Sequence, residues 1–164
     1  AAIDCLNRAL EITQAVEGRD SAAQGPEYFY LGRALARLDR LPEAERSLVA
    51  ALDLHRKAPW MDGETLNALY TRLARVLKDQ RQIDRAIRLF RDALEVERER
   101  HGEHHESVGV VAYHLGNLYL AAYEYETALD HLKGSLGIYE SVRGRNDART
   151  QRVVRRIEMV EDLV

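Results

Sequence analysis

The chain has 164 residues, a formal net charge of −3 and a sequence pI near 6.1. That length suits one domain or a short repeat array, and the acidic balance argues against a surface built to coat nucleic acid or an anionic membrane. One cysteine excludes an internal disulfide, and no apolar run reaches the roughly 20 residues of a membrane span. We therefore expect a cytoplasmic protein.

In chain order, the hydrophobic periodicity predicts helices only. The predicted spans are 1–17, 24–38, 42–58, 64–80, 84–100, 106–122, 126–142 and 147–163. Pro42 lies inside the helical pattern "YLGRALARLDRLPEAERSL". A proline in the interior of one continuous helix would cost about 3 kcal/mol or more of stability. We predict that Pro42 stands in the first turn of a new helix, where its missing amide is tolerated.

The segments "AIDCLNRALEI", "AERSLVAALDL", "AIRLFRDALEV" and "ALDHLKGSLGI" repeat with a spacing of 42 residues and no insertion. Each begins with Ala, has a large apolar residue at its fifth position and Leu at its ninth. These offsets form one helical stripe, so each segment is the second helix of a unit. The first helices have Leu31, Leu73 and Leu115 in the same phase, each followed by a small residue for close packing.

Gly18, Gly102 and Gly144 are a third series in phase, with Trp60 in the remaining position. We predict that the glycines end the second helices in a left-handed conformation. We also predict that Trp60 packs over the helix ends beneath it, although an exposed anchor for a partner is the alternative.

The unit "YFYLGRALARLDRLPEAERSLVAALDL" resembles the tetratricopeptide repeat, with an aromatic residue, Leu-Gly, a short turn and then Ala, a large apolar residue and Ala. HEAT and armadillo repeats have similar periods but fit this pattern less well. The stretch "HGEHHESVGVVAYHLGNLYLAAYEYETALDHLKGSLGIYE" is similar to the 42-residue repeats of kinesin light chain. Gly102, His105 and Val108 match that linker, and Glu106 replaces its proline.

The resemblance implies an all-α, right-handed superhelical solenoid of antiparallel helix pairs with about eight helices. We expect a single solenoid fragment. It divides into a second helix and loop over 1–23, full repeats over 24–62, 63–104 and 105–146, and a terminal helix over 147–164. In such solenoids the first helices line a concave face that binds ligands.

Positions of the repeat that face this groove carry mainly arginine and few acidic side chains. The predicted peptide-binding residues are Phe29, Arg33, Arg37, Thr71, Arg72, Arg75, Lys78, Tyr113, Asn117, Arg155 and Arg156. Asn117 matches the position where peptide-binding members of the family carry an asparagine. Guanidinium groups bind carboxylates in bidentate fashion, so an acidic extended peptide is the expected partner. A solvated face neutralised by neighbouring helices is the alternative.

No motif assembles an acid, a base and a nucleophile, so we predict no enzyme, cofactor or metal. "HGEHHE" contains competent metal ligands, but their spacing matches no closed zinc pattern. The alternative function is a sensor or scaffold domain of a multidomain regulator that self-associates. Ile3, Leu6 and Leu10 would supply that contact, because their helix lacks a partner. Nucleic-acid binding is a weaker alternative, since few aromatic residues interleave the basic ones.

Overall fold

The computed structural model describes residues 2–18 and 21–164. These residues form eight α-helices and no strand, as predicted from the sequence. The helices are α1 (Ala2–Glu17), α2 (Gly25–Arg37), α3 (Leu41–Lys57), α4 (Gly63–Asp79), α5 (Ile83–His101), α6 (Glu106–Ala121), α7 (Tyr125–Arg143) and α8 (Ala148–Glu161). A short 3-10 turn, Ala22–Gln24, precedes α2. The predicted bounds lie within two residues of these.

The chain divides into two compact units, Ala1–Arg81 and Gln82–Val164, called unit 1 and unit 2 below. Unit 1 contains α1 to α4, in which α2 packs on α3 and α4 packs on both. Unit 2 contains α5 to α8, in which α6 packs on α7 and α8 follows α7. Each unit therefore includes one complete antiparallel helix pair with a flanking helix on either side in the chain.

Both complete pairs are held by the same close contact. A Cβ atom added to Gly32 would lie 2.7 Å from Cγ of Leu48, and one added to Gly116 would lie 2.8 Å from Cγ of Leu132. Leu48 and Leu132 are fully buried. The small residue predicted after each Leu is therefore required, because the leucine of the second helix fills the space that a side chain would occupy.

A residue with positive φ also recurs every 42 residues, in the turns that follow α2, α4 and α6. Asp39, Arg81 and Tyr123 each have a positive φ, of 57°, 58° and 64°. After α2, the amide of Arg40 donates to the carbonyl of Leu35, and that of Asp39 to the carbonyl of Ala36. These two bonds make a Schellman motif, which places its left-handed residue just past the helix end.

Pro42 is the second residue of α3, which confirms that this proline stands in the first turn of a new helix. Gly102 and Gly144 do end α5 and α7 with a positive φ of 84°, and Gly18 has φ of 88°. The ψ values of Gly102 and Gly144 are 164° and 165°, so their backbone is extended rather than left-handed helical. That region of backbone space is open only to glycine.

Candidate functional site

The first helices of unit 1 border a cleft of about 720 Å3, a volume within the usual range of ligand pockets. It lies between residues of α2 with the turn after it and residues of α4. Its lining consists of Arg33, Ala36, Arg37, Asp39, Leu41, Thr71, Arg72, Arg75, Val76 and Asp79. Five of the predicted site residues, Arg33, Arg37, Thr71, Arg72 and Arg75, are among them.

Arg33 and Arg72 face this cleft from opposite helices. Neither guanidinium has a carboxylate within ion-pair distance among the residues that the structure describes. Partial burial lowers the pKa of Arg72, and the nearby charge of Arg33 lowers it further. Arginine side chains are cations at neutral pH in proteins. Two adjacent cations left uncompensated form a site that favours an anion.

Aromatic rings support both of these arginines. The guanidinium carbon of Arg72 lies 5.8 Å from the ring centroid of Phe29, and that of Arg33 lies 5.8 Å from the ring of Tyr30. One Nη of Arg72 also donates to the carbonyl of Ala68 at 3.0 Å. These contacts hold the guanidinium groups in place before any ligand arrives, which lowers the entropy cost of binding.

Arg37 and Arg75 complete the basic lining, and both side chains are exposed. Arg75 makes a loose ion pair with Asp79, with 3.7 Å between its Nε and the carboxylate, and its side chain is 83% exposed. Such an exposed pair stabilises a protein by about 1 kcal/mol at most. A ligand carboxylate can therefore replace Asp79 on Arg75 at little cost.

Two predicted residues of unit 1 occupy other positions. Phe29 is 5% exposed, so its ring lies under Arg72 and does not face a ligand. Lys78 is exposed on α4 but does not line the cleft. Phe29 therefore supports the guanidinium of Arg72 and does not line the cleft.

The predicted site residues of unit 2 differ from one another in their burial and their contacts. Tyr113 is buried, with its ring 5.3 Å from that of His114. The side-chain amide of Asn117 donates to the carbonyl of Tyr113 on the same helix, at 2.8 Å. Arg155 is exposed, and one Nη of Arg156 lies 3.8 Å from the sulfur of Met159. Of these four, Asn117, Arg155 and Arg156 are at least partly accessible.

His114 is buried in unit 2, and its ring centroid lies 6.3 Å from that of Phe90. Burial, followed by the charge of Arg152, lowers the pKa of His114 to about 3. The imidazole is therefore neutral at physiological pH, which fits a packing role.

Unit 2 contains an ion-pair cluster that the sequence did not predict. Oε1 of Glu106 accepts hydrogen bonds from Nε and Nη2 of Arg143, at 2.7 and 2.6 Å, and from Nη1 of Arg149, at 2.8 Å. The three residues join the beginnings of α6 and α8 to the end of α7. Burial, and then the charge of Glu106, raises the pKa of the neighbouring Tyr139 to about 12. The one feature of the sequence that pointed to this cluster was Glu106, which stands where the similar kinesin light chain linker has proline.

The histidine-rich motif shapes the turn before α6. Nδ1 of His105 accepts from the amide of Ser107 at 3.2 Å, which makes His105 the N-cap of α6. The rings of His101 and His105 are stacked with centroids 4.3 Å apart. Within residues 2–18 and 21–164, no group of three or more His, Cys, Asp or Glu side chains is arranged to hold a metal ion.

Trp60 covers the beginning of α2, as predicted. Its indole fills the space beside Gly25 that a side chain there would need. Nδ1 of His55 accepts from the amides of Trp60 and Met61, each at 3.2 Å, and so fixes the loop. None of the described helices is both long and apolar enough to span a membrane.

Residues 64–141 match the family model described as Tetratricopeptide repeat. No curated protein matches the chain in sequence. Among solved structures, BtubC (BKLC) from P. vanneervenii is similar over 96% of this chain and 63% of its own, with a TM-score of 0.74 and 18% identity. The apo form of RapI is similar over 98% of this chain and 42% of its own, with a TM-score of 0.74 and 20% identity.

A Podosopora anserina structure, described as a putative kinesin light chain with nearly identical TPR-like repeats, is also similar. The similarity covers 98% of this chain and 76% of the Podosopora anserina chain, with a TM-score of 0.70 and 15% identity. At these identities the similarity concerns the fold. This chain spans 63% and 42% of the BtubC and RapI chains, so it corresponds to part of each.

Proposed function

This chain has a tetratricopeptide-repeat fold, and from that premise we propose that it is a protein-interaction module whose unit 1 cleft binds an acidic, extended segment of a partner protein. Repeat solenoids of this kind bind ligands on the faces of their first helices. The observation that carries the proposal is the pair Arg33 and Arg72, two adjacent guanidiniums with no carboxylate partner among the described residues.

The lining of the cleft fits that ligand in three respects. Its arginines offer planar, bidentate donors for carboxylates. Thr71 adds a hydroxyl at the edge, and Ala36, Leu41 and Val76 provide apolar floor for the stems of side chains. Arg37 and Arg75 extend the positive charge along the cleft, so an extended segment meets more than one cation.

In unit 2, we propose Asn117, Arg155 and Arg156 as further contacts for the same kind of partner. Asn117 is half-buried, and its carbonyl oxygen can accept from a peptide amide while its amide group donates to Tyr113. Tyr113 is buried and serves as the support of Asn117.

The test is the affinity of the intact chain for a capped, fluorescein-labelled peptide of alternating glutamate and serine, measured by anisotropy. The double variant R72E/R75E should bind at least about tenfold more weakly, equivalent to about 1.4 kcal/mol or more. The matched control R88E/R91E reverses two exposed charges on α5 outside the cleft and should bind like the parent. Binding should also weaken with added salt.

Equal affinity of R72E/R75E and R88E/R91E would overturn the assignment of the cleft. A single-stranded RNA of equal charge serves as a second probe. If it bound more tightly than the peptide, the basic face would be a nucleic-acid surface instead.

Self-association is a second candidate, favoured by a cleft of about 610 Å3 on the α1 side of α2, lined by apolar residues together with Arg33 and Arg37. Ile3 and Leu6 are half-buried there, and Tyr30 and Leu38 are 49% and 63% exposed. Leu10, predicted to share this face, is buried within unit 1. Sedimentation of the parent and of L6E/L38E distinguishes the two cases: a dimer that L6E/L38E dissolves supports self-association, and a monomeric parent excludes it.

A further inference from the structure

The charge of the residues that line the unit 1 cleft changes sign along its length. Arg33 and Arg72 line one part of the cleft, and Arg37 and Arg75 follow about one helical turn further along α2 and α4. Asp39 and Asp79 then line the end of the cleft where α2 and α4 terminate. The cleft is therefore not uniformly basic, and its two parts favour opposite charges.

The acidic end is accessible to a cation. Asp39 is exposed, and its carboxylate has no ion-pair partner among the described residues. Asp79 is half-exposed, and its one ion pair within the described part of the chain is the loose 3.7 Å contact with Arg75. Both carboxylates stand at helix C-termini, where the partial negative charge of the helix dipole adds to the attraction for a cation.

The separation of the two parts sets a spacing for the partner. Arg72 and Asp79 are seven residues apart on α4, a rise of about 10 Å along the helix. An extended peptide advances about 3.3–3.6 Å per residue, so that distance corresponds to about three residues. A segment lying along α4 would then place its charged side chains opposite both parts at once.

We infer that the partner segment is charge-ordered: acidic residues opposite Arg72 and Arg75, and a lysine or arginine about three residues away, opposite Asp39 and Asp79. This inference rests on the proposed function and names its ligand more closely. Asp39 and Asp79 are specificity-determining residues, because they select the basic residue and repel a segment that is acidic throughout.

The experiment compares four capped peptides of equal length on the full chain. The first peptide has two glutamates, with a lysine three residues after the first glutamate. The second peptide has the reversed sequence, with the lysine three residues before the last glutamate. The third replaces the lysine by glutamine, and the fourth replaces the glutamates by glutamine. We expect one of the two lysine peptides to bind about fivefold more tightly than the third peptide, since charge pairs of this kind are modest at the surface.

The variant D39N/D79N should abolish that advantage and bind the third peptide at least as well as the parent does. D92N/D130N removes two exposed carboxylates outside unit 1 and is the matched control, which should retain the preference. A lysine that helps in neither order, or a preference that survives in D39N/D79N, would overturn the inference.

The same peptides separate this inference from the proposed function. If the third peptide binds and R72E/R75E weakens it while lysine adds nothing, the basic cleft stands and the charge order is wrong. If no acidic peptide binds the parent chain, the proposed function is wrong and the charge order fails with it.

Discussion

Unit 1 and unit 2 use arginine in different ways. In unit 1, Arg33 and Arg72 face a cleft, neither has a carboxylate within ion-pair distance among the described residues, and aromatic rings hold them in place. In unit 2, Arg143 and Arg149 share Glu106 and join three helices. The first pair is available to a ligand, whereas the second is already neutralised within the fold.

This difference shows that the residue type and its phase in the repeat do not determine the role of an arginine. What decides is the presence of a counter-ion and the degree of burial. An arginine whose charge is balanced inside the protein contributes to packing, and we propose that one that remains unbalanced contributes to recognition. Four predictions test this contrast, beginning with the geometry that both units share.

The largest expected effect concerns the glycines at which paired helices touch. G32L and G116L should each lower the free energy of unfolding by about 3 kcal/mol, because the new side chain meets a buried leucine. Denaturant titration measures both, and similar losses are expected because the contacts are alike. The matched control is G134L, where nothing lies within 4 Å of an added Cβ, and it should be no less stable than the parent. A G116L chain as stable as G134L would contradict the packing.

The next effect is a pH dependence that arises in unit 2. The pKa of His114 is lowered from 6.5 to about 3 in the folded chain, so the unfolded chain takes up this proton first as the pH falls. Stability is therefore unaffected by His114 above pH 6.5 and declines between pH 6.5 and pH 3. At pH 5 the loss is about 2 kcal/mol relative to pH 7.5.

H114Q removes the titrating group, so the difference in unfolding free energy between H114Q and the parent should shift by that amount between the two pH values. A constant difference between pH 7.5 and pH 5 would show that His114 is not protected from protonation in the fold.

A smaller effect is expected from the ion-pair cluster. E106Q leaves Arg143 and Arg149 without their shared carboxylate and should cost about 1–2 kcal/mol, less than a fully buried pair because all three groups keep some exposure. E161Q disrupts an exposed pair with Lys133 and should cost about 0.5 kcal/mol or less. Peptide affinity should be unchanged in both. A weaker acidic-peptide affinity in E106Q alone would contradict the division of roles between the units.

The smallest effect concerns the support of Arg72. F29L removes the ring under that guanidinium and should reduce affinity for the acidic peptide about threefold, as expected for a partly exposed cation–π contact of about 0.5–1 kcal/mol. F90L truncates a buried phenylalanine of unit 2. It should lower the free energy of unfolding about as much as F29L does, without changing the affinity for the peptide. Equal affinities of F29L and F90L would mean that Phe29 does not position Arg72.

The sequence predicted the helices well because each carries a long apolar stripe, and Pro42 marked one boundary. It did not predict the positive φ of Asp39, Arg81 and Tyr123. None of these is glycine, and the conformation is imposed by the helix-ending hydrogen bonds and not by a local preference.

The candidate site was predicted in part for a similar reason. The repeat phase identified Arg33, Arg72 and Arg75, since a helix face follows directly from spacing. It did not predict that Phe29 and Tyr113 are buried, because burial depends on the neighbouring helix. Nor did it predict the Glu106 cluster, whose partners are 37 and 43 residues away in the chain.

The most direct test of the central claim is an NMR titration that follows the Nε–Hε resonances of the arginines while the acidic peptide is added. We predict that Arg33, Arg37, Arg72 and Arg75 shift together and saturate at one affinity, since their guanidiniums gain carboxylate partners. Arg143 and Arg149 should not shift, because Glu106 already binds them. Uniform small shifts across all exposed arginines, or no shift at Arg33 and Arg72, would contradict the account.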